Sequence, residues 1–152
     1  MTNDSYYIAP NDWQNIIFRL CLALVVGGII GSEREIKQKP AGLRTHMLVC
    51  VGSAMFVLIP LQIAIHSSSP DALSRVVQGV AAGIGFIGAG EILRPSAQTN
   101  SSKTVQGLTS AAAIWVSAAL GVAAGCGLWR LGLTGAFVSL LILNIFKKIE
   151  NM

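Results

Sequence analysis

Five long apolar segments dominate this sequence and limit what the chain can fold into. Each contains about 18 to 21 residues, enough for an α-helix to cross the ~30 Å hydrocarbon core of a bilayer. Backbone groups find no water at mid-bilayer, and the segments lack the alternation of a membrane strand, so each is predicted to be a helix. The predicted spans are residues 15–32, 47–65, 76–93, 105–125 and 128–146.

The composition agrees with a membrane location. Hydrophobic residues make up 53% of the 152 residues and charged residues only 12%, too few for the surface of a water-soluble protein. We therefore predict a single all-α, multi-pass domain, residues 1–152, embedded in a lipid bilayer. The first segment is treated as a span and not a signal peptide, because no Lys or Arg precedes Arg19. The net charge of +4 follows from membrane topology and requires no nucleic-acid partner.

A charged hairpin, residues 31–45, separates the first two spans and helps to predict the orientation. It carries six of the eighteen Lys, Arg, Asp and Glu side chains. An amino terminus outside the cell and a carboxyl terminus in the cytoplasm place eight basic residues inside and three outside, as the positive-inside rule requires. The inner eight are Arg34, Lys37, Lys39, Arg44, Arg94, Lys103, Lys147 and Lys148.

Small residues spaced four apart predict where helices pack closely, because they let two backbones approach. The third span is so rich in Gly and Ala that we expect it at the centre of the bundle. Arg19 lies inside the first span, where two interpretations stay open: it snorkels to the near surface, or it meets a carboxylate or ligand in the interior. The predicted packing positions are Gly27, Gly31, Gly79, Gly83, Gly85, Ser117, Gly121 and Gly125.

Other polar residues carry fewer expectations. Asp12 or Asn11 is placed to cap the first helix. The three cysteines are an odd number, two of them within predicted spans, so we expect no disulfide framework. His46 and His66 are expected at opposite membrane faces, and no His, Cys, Asp and Glu set has transition-metal spacing. Catalytic groupings of Ser, His, Cys or Asp are also missing, so we predict that the protein is not an enzyme.

The two hairpins on the predicted inner side resemble each other. Residues 30–33 lead to Gly-Leu-Arg-Thr at 42–45, and residues 87–91 lead to Gly-Leu-Thr-Ser at 107–110. Both helix pairs run in the same direction, which indicates a parallel 2+2 repeat plus a fifth helix. The repeat would bring Glu33 and Glu91 close together beside two helix starts.

That juxtaposition allows three interpretations. The carboxylates of Glu33 and Glu91 could bind a cation, or the helix starts could bind an anion. Alternatively, the acids only end their helices, Glu33 pairing with Arg44 or Lys37 and Glu91 with Arg94 or Lys103.

Three stretches in order carry a family resemblance. They are residues 31–46 (GSEREIKQKPAGLRTH), 85–90 (GFIGAG) and 107–115 (GLTSAAAIW). Over residues 20–146 the chain resembles the MgtC/SapB family of bacterial membrane proteins. The resemblance implies a five-helix domain in the bacterial plasma (inner) membrane, or in an internal bacterial membrane. Its functional motif here would comprise Glu33, Arg34, Gly42, Leu43, Arg44, Thr45, Gly88, Gly90, Glu91, Gly107, Leu108, Thr109 and Trp115.

The chain also departs from the family pattern. Glu91 stands where that pattern has an uncharged residue, and the loop at 94–106 is longer. Virulence-factor members carry a soluble carboxyl-terminal domain of ACT-like type. Nothing follows Met152 here, so functions that depend on that domain are not expected of this sequence.

The resemblance implies a role linked to magnesium, with two main hypotheses. The first is a regulator that contacts another membrane complex such as the F-type ATP synthase. The alternative is a channel or transporter for Mg²⁺ or another cation through Glu33 and Glu91, which would require a homo-oligomer because five helices leave little room for an aqueous path. A structural subunit of a larger complex is a second alternative. No cofactor is expected beyond Mg²⁺ in the transport hypothesis.

Overall fold

The computed structural model of this chain describes residues 12–63, 70–93 and 107–146, and these residues form five α-helices. Four of them are long and apolar enough to cross a membrane, and the fifth continues directly into a short π-helix. No strand occurs within these ranges. The predicted all-α membrane fold is therefore confirmed. The helices are α1 (Trp13–Ile36), α2 (Leu43–Ile63), α3 (Pro70–Ile92), α4 (Leu108–Gly125) and α5 (Trp129–Leu141), followed by the π-helix Ile142–Phe146.

The first two helices extend into the charged hairpin from both sides. Asp12 caps α1 as predicted, accepting a hydrogen bond of 3.2 Å from the Asn15 amide. α1 continues to Ile36, and α2 begins at Leu43, where the Glu35 carboxylate accepts the Leu43 amide at 3.0 Å. The predicted spans were shorter because apolar residues alone marked them. Charged side chains continue a helix readily where they find partners or water.

α1, α2 and α4 form the packed core, and α4 lies at its centre. A Cβ atom added to Gly125 would lie 2.8 Å from the Ala54 carbonyl oxygen, and one on Gly121 would overlap the Cys50 backbone. Gly27 and Gly31 of α1 meet the α2 backbone in the same way, at 2.8 Å in each case. Close packing at these predicted glycines is confirmed. The main buried cluster consists of Ala23, Val26, Ile30, Cys50, Ala54, Leu120, Ala124 and Ala136.

The predicted central position of the third span is wrong. Only 11% of the most apolar part of α3 is buried, against 56% for α4. Cβ atoms added to Gly79, Gly83 or Gly85 would meet nothing within 4 Å. α3 packs along one side of α4 through Ile84 and Gly88, and it contacts α2 only lightly. A high glycine content permits close packing but does not by itself provide a neighbour.

Arg19 caps the opposite end of the core from the charged hairpin. Its side chain is buried, and Nη1 donates to the Gly125 carbonyl oxygen at 2.8 Å. The snorkelling interpretation is therefore wrong. The last carbonyls of α4 lack helical partners and carry partial negative charge, which the guanidinium offsets. Gly127, with φ of 77°, lies against this guanidinium, and a Cβ atom there would lie 3.0 Å from Arg19 Cζ.

Candidate functional site

A buried charged cluster lies at the end of the bundle where α1 turns into α2, which we call the hairpin end. Arg34, on the last turn of α1, is only 3% exposed. Its Nη2 donates to the Ser110 hydroxyl at 2.8 Å, which ties α1 to the first turn of α4. The Glu33 carboxylate lies 3.9 Å from Arg34 Nη1 and is itself buried. Helix α1 can carry both charges inside the protein because each has an oppositely charged neighbour.

Lys37 connects this cluster to the end of α5. Its Nζ lies 2.5 Å from Glu33 Oε1, one helical turn away. The same ammonium donates to the Leu143 carbonyl at 3.2 Å and to Asn144 Oδ1 at 2.8 Å, both in the π-helix. Pairing of Glu33 with Lys37 was one of the alternatives predicted from sequence. Asn144 was not predicted, because nothing in its apolar segment indicates which residue will accept a hydrogen bond from a lysine distant in the sequence.

Glu91, in the last turn of α3, interacts electrostatically with the same arginine. The Arg34 guanidinium interacts electrostatically with Glu33 and, less strongly, with Glu91. Gly107, which precedes α4, lets the start of α4 lie against the end of α3. Its φ of 91° is left-handed, and a Cβ atom there would lie 2.9 Å from the Glu91 carbonyl oxygen. Glycine avoids both the strain and the clash at this position. Glu33 and Glu91, one from each hairpin, therefore both act electrostatically on one guanidinium.

His46 is a member of this region whose burial the sequence reasoning did not predict, and His66, predicted at the opposite face, lies outside the described residues. It lies near the hairpin end and is fully buried. Its Nδ1 is 2.8 Å from the Ser117 hydroxyl, and the Cys50 thiol donates to the Ser117 carbonyl at 2.9 Å. His46 also interacts electrostatically with Arg34 and Glu33. Extending the second span back to residue 43 would have placed His46 on the buried face with Cys50 and Ser53.

The other predicted motif residues lie around this cluster and not within it. Gly42 leaves room for the Glu35 carboxylate that caps α2, and Leu43 supplies the capped amide. Gly88 lies against Ala111, 3.5 Å from a built Cβ to the alanine Cβ, whereas Gly90 is open. Thr45 is half-buried, and the side chains of the remaining motif residues face outward: Arg44, Leu108, Thr109 and Trp115.

The comparison with protein families decides the class of this chain. The model of the MgtC family matches residues 20–152. The chain belongs to the MgtC family. The predicted resemblance is thereby confirmed, and with it a multi-pass membrane protein containing the charged hairpin.

Several members of the MgtC family are close relatives. Protein SrpB of Synechococcus elongatus is 50% identical over 96% of this chain and 82% of its own length. A protein of Escherichia coli K12 named "Putative magnesium transporter YhiD" is 41% identical over 88% of the chain, and protein MgtC of Salmonella typhimurium is 38% identical over 82%. The chain spans 61% and 49% of the lengths of these last two. No solved structure gives a significant match.

The electrostatics of this MgtC-family cluster define its chemistry. Two carboxylates, Glu33 and Glu91, face the cationic groups of Arg34 and Lys37, so the cluster balances its own charge. A divalent cation would have to displace Lys37 from Glu33 and would then face a buried guanidinium. Among residues 12–63, 70–93 and 107–146, no group of three or more His, Cys, Asp and Glu is placed to hold a metal ion. The arrangement suits the joining of helix ends better than cation binding.

Proposed function

We propose that this MgtC-family chain is a regulatory membrane protein linked to magnesium homeostasis. It acts through helix contacts on another membrane complex, for which the F-type ATP synthase is our candidate. The magnesium link rests on family membership and on the name of the Escherichia coli relative. The mode of action rests on a groove between α2 and α3 and on the charged cluster at the hairpin end.

A groove between α2 and α3 carries the proposal. It has a volume of about 650 Å³, and its lining includes Gly52, Gly79 and Gly83. None of the three has an atom within 4 Å of a built Cβ, so the backbones of both helices are accessible. Transmembrane helices associate where small residues let backbones approach, whereas contact with lipid does not require glycine. The groove therefore suits a transmembrane helix of a partner, with Leu48, Phe56 and Ile87 providing apolar walls.

The charged cluster supports regulation over transport. Lys37 and Arg34 already neutralise Glu33, and the cluster joins the ends of α1, α3, α4 and α5. A cation path would require acids that are free to exchange ligands. Glu33 is instead held by a contact of 2.5 Å.

Two glycine substitutions on α3 test the proposal. Gly83→Leu fills the groove, whereas Gly85→Leu adds the same side chain to the same helix outside the groove lining. We expect tagged wild-type protein and Gly85→Leu to recover ATP synthase subunits from mildly solubilised membranes and to reduce ATP-driven proton pumping in inverted vesicles. Gly83→Leu should lose both effects. Recovery of the protein alone, with pumping unchanged by any variant, would contradict the proposal.

Cation transport is the second candidate, because two carboxylates approach one arginine at the hairpin end. Purified protein in liposomes should then pass Mg²⁺ or a monovalent cation. Glu33→Gln and Glu91→Gln should each reduce the flux, and Asp71→Gln, at the opposite end of α3, should not. Liposomes that stay tight under several cation gradients would exclude this candidate.

We also propose that the hairpin end faces the cytoplasm of a bacterium, in the plasma membrane. The support is the excess of basic residues at this end, including exposed Arg44. A Lys39→Cys variant in a Cys21→Ala background should react with a membrane-impermeant maleimide only after the cells are permeabilised. Labelling in intact cells would reverse the orientation.

A further inference from the structure

One face of α3 carries a regular row of exposed residues, which we call the α3 seam. The seam consists of Asp71, Arg75, Gln78, Ala82, Gly85 and Ala89, and all six are exposed. Their spacings of four, three, four, three and four form a heptad pattern, which keeps residues on one face of a slightly supercoiled helix. None of the six lines the groove between α2 and α3. The seam is therefore a separate surface, turned away from the bundle.

The composition of the seam changes along its length. Its second half is small: Ala82, Gly85 and Ala89 present almost no side chain, and nothing lies within 4 Å of a Cβ built on Gly85. Its first half is polar: Gln78 exposes an amide about 12 Å along the helix from Pro70, at 1.5 Å per residue. Lipid tails cannot satisfy an amide, so a polar partner within the membrane would stabilise this side chain. Small residues and an amide on one face are features of helix association in bilayers.

The chemistry of the polar half identifies the partner as a second copy of this chain. Every copy inserts with the same orientation, so α3 helices of two copies run parallel and each seam residue meets its equivalent at the same depth. A glutamine amide is both donor and acceptor, so two Gln78 side chains can hydrogen-bond to each other. Asp71 and Arg75 lie one turn apart, so Asp71 of one copy can pair with Arg75 of the other, twice around a two-fold axis. The seam is thus complementary to itself in hydrogen bonding at Gln78, and its charges can pair along the Asp71–Arg75 diagonals.

We propose that two copies of this protein associate in parallel through the α3 seam, with the small residues in close contact and Gln78 paired across the two-fold axis. This surface is independent of the proposed partner groove. The dimer can therefore fail while the regulatory function holds, and the reverse is equally true.

Cysteine cross-linking tests the seam directly. In a Cys21→Ala background, which removes the exposed cysteine and keeps the buried Cys50 and Cys126, residues 78 to 89 are replaced by Cys one at a time. Oxidation in native membranes should give a covalent dimer of twice the monomer mass at 78, 82, 85 and 89, with troughs between them. A maximum at 79, 83 and 87, no cross-linking at any position, or a product containing a different protein would each overturn the proposal.

Self-association in liposomes gives a second readout that does not depend on the cysteines. Energy transfer between labelled copies should be lost in Gly85→Leu and kept in Gly83→Leu, whose added side chain meets equally open space. Gln78→Leu should weaken the dimer about 3- to 16-fold, the range of measured hydrogen bonds between membrane helices. Equal energy transfer in all three variants, or wild-type protein that stays monomeric at every protein-to-lipid ratio, would overturn the proposal.

Discussion

The glycines of α4 and those of α3 have the same spacing in the sequence but opposite surroundings in the fold. Gly121 and Gly125 lie against the α2 backbone so closely that no Cβ atom could be added. Gly79 and Gly83 are also four residues apart, yet a Cβ atom at either would meet nothing within 4 Å. The first pair holds the core together, whereas the second leaves backbone accessible for contacts outside it.

This difference shows that a small-residue stripe indicates the capacity for close contact and does not identify the partner. In α4 the partners belong to the same chain. In α3 we infer that they are other molecules: a partner helix in the groove and a second copy on the seam. α3 is held to the core chiefly by its side against α4 and by the approach of Glu91 to Arg34.

The largest predicted effect follows from that attachment. Arg34→Met removes the buried guanidinium that lies 3.9 Å from the Glu33 carboxylate, interacts electrostatically with Glu91 and donates to the Ser110 hydroxyl. Breaking one side of a buried ion pair costs about 3–5 kcal/mol. We therefore expect a loss of this size in the free energy of unfolding in detergent micelles. Arg44→Met, on the same hairpin but exposed, is the control and should change it by less than ~0.5 kcal/mol. Equal stability of the two variants would contradict this attachment.

The second prediction tests the difference between the glycines of α4 and α3 directly. Gly121→Leu forces a side chain into the Cys50 backbone, which cannot move without separating α2 from α4. Overpacking a core typically costs about 1–3 kcal/mol, and a backbone neighbour places this case at the upper end. Gly83→Leu meets open space and should unfold within about 0.5 kcal/mol of the wild type in the same micelles. Similar losses in both would mean that α3 packs more tightly than the open space around Gly83 indicates.

The third prediction extends the comparison to serines. Ser117→Ala removes the hydroxyl that faces His46 Nδ1 at 2.8 Å in the core. Leaving a buried polar group without its partner costs about 1–3 kcal/mol. Ser74→Ala, on the exposed face of α3, should be nearly neutral. Chemical denaturation of both variants measures the difference, and a neutral Ser117→Ala would show that His46 finds another partner.

Much of this fold could be predicted from the sequence because lipid imposes simple rules. The length and hydropathy of the apolar segments were enough to predict the helices. The lack of Lys and Arg before the first segment indicated a membrane span and not a signal peptide. Glycine spacing correctly indicated the close contacts of Gly27 and Gly121. Each of these inferences depends on a residue's own chemistry and on its neighbours along the chain.

Assembly of the helices could not be predicted in the same way. Arg19 caps α4 from 106 residues away, and Lys37 reaches a carbonyl equally distant in sequence. Such contacts depend on which helices become neighbours, and hydropathy does not predict which helices pack together. An approach of Glu33 to Glu91 was predicted only because the two hairpins resemble each other; in the structure both acids interact electrostatically with Arg34. The internal repeat was the one feature of the sequence that predicted proximity between residues far apart along the chain.

The smallest predicted effect reverses sign between the two helices. Gly83→Ala adds a methyl group where nothing lies within 4 Å, so only backbone entropy and helix propensity change. Alanine is favoured over glycine in exposed helix positions by up to about 1 kcal/mol, so this variant should be slightly more stable than wild type in micelles. Gly125→Ala places the same methyl group 2.8 Å from the Ala54 carbonyl oxygen and should be less stable. A shift of the unfolding midpoint in the same direction by both substitutions would contradict the difference in packing around the two glycines. Opposite shifts would establish that equal spacing along the two helices serves contact within the chain in α4 and leaves α3 open to contact beyond it.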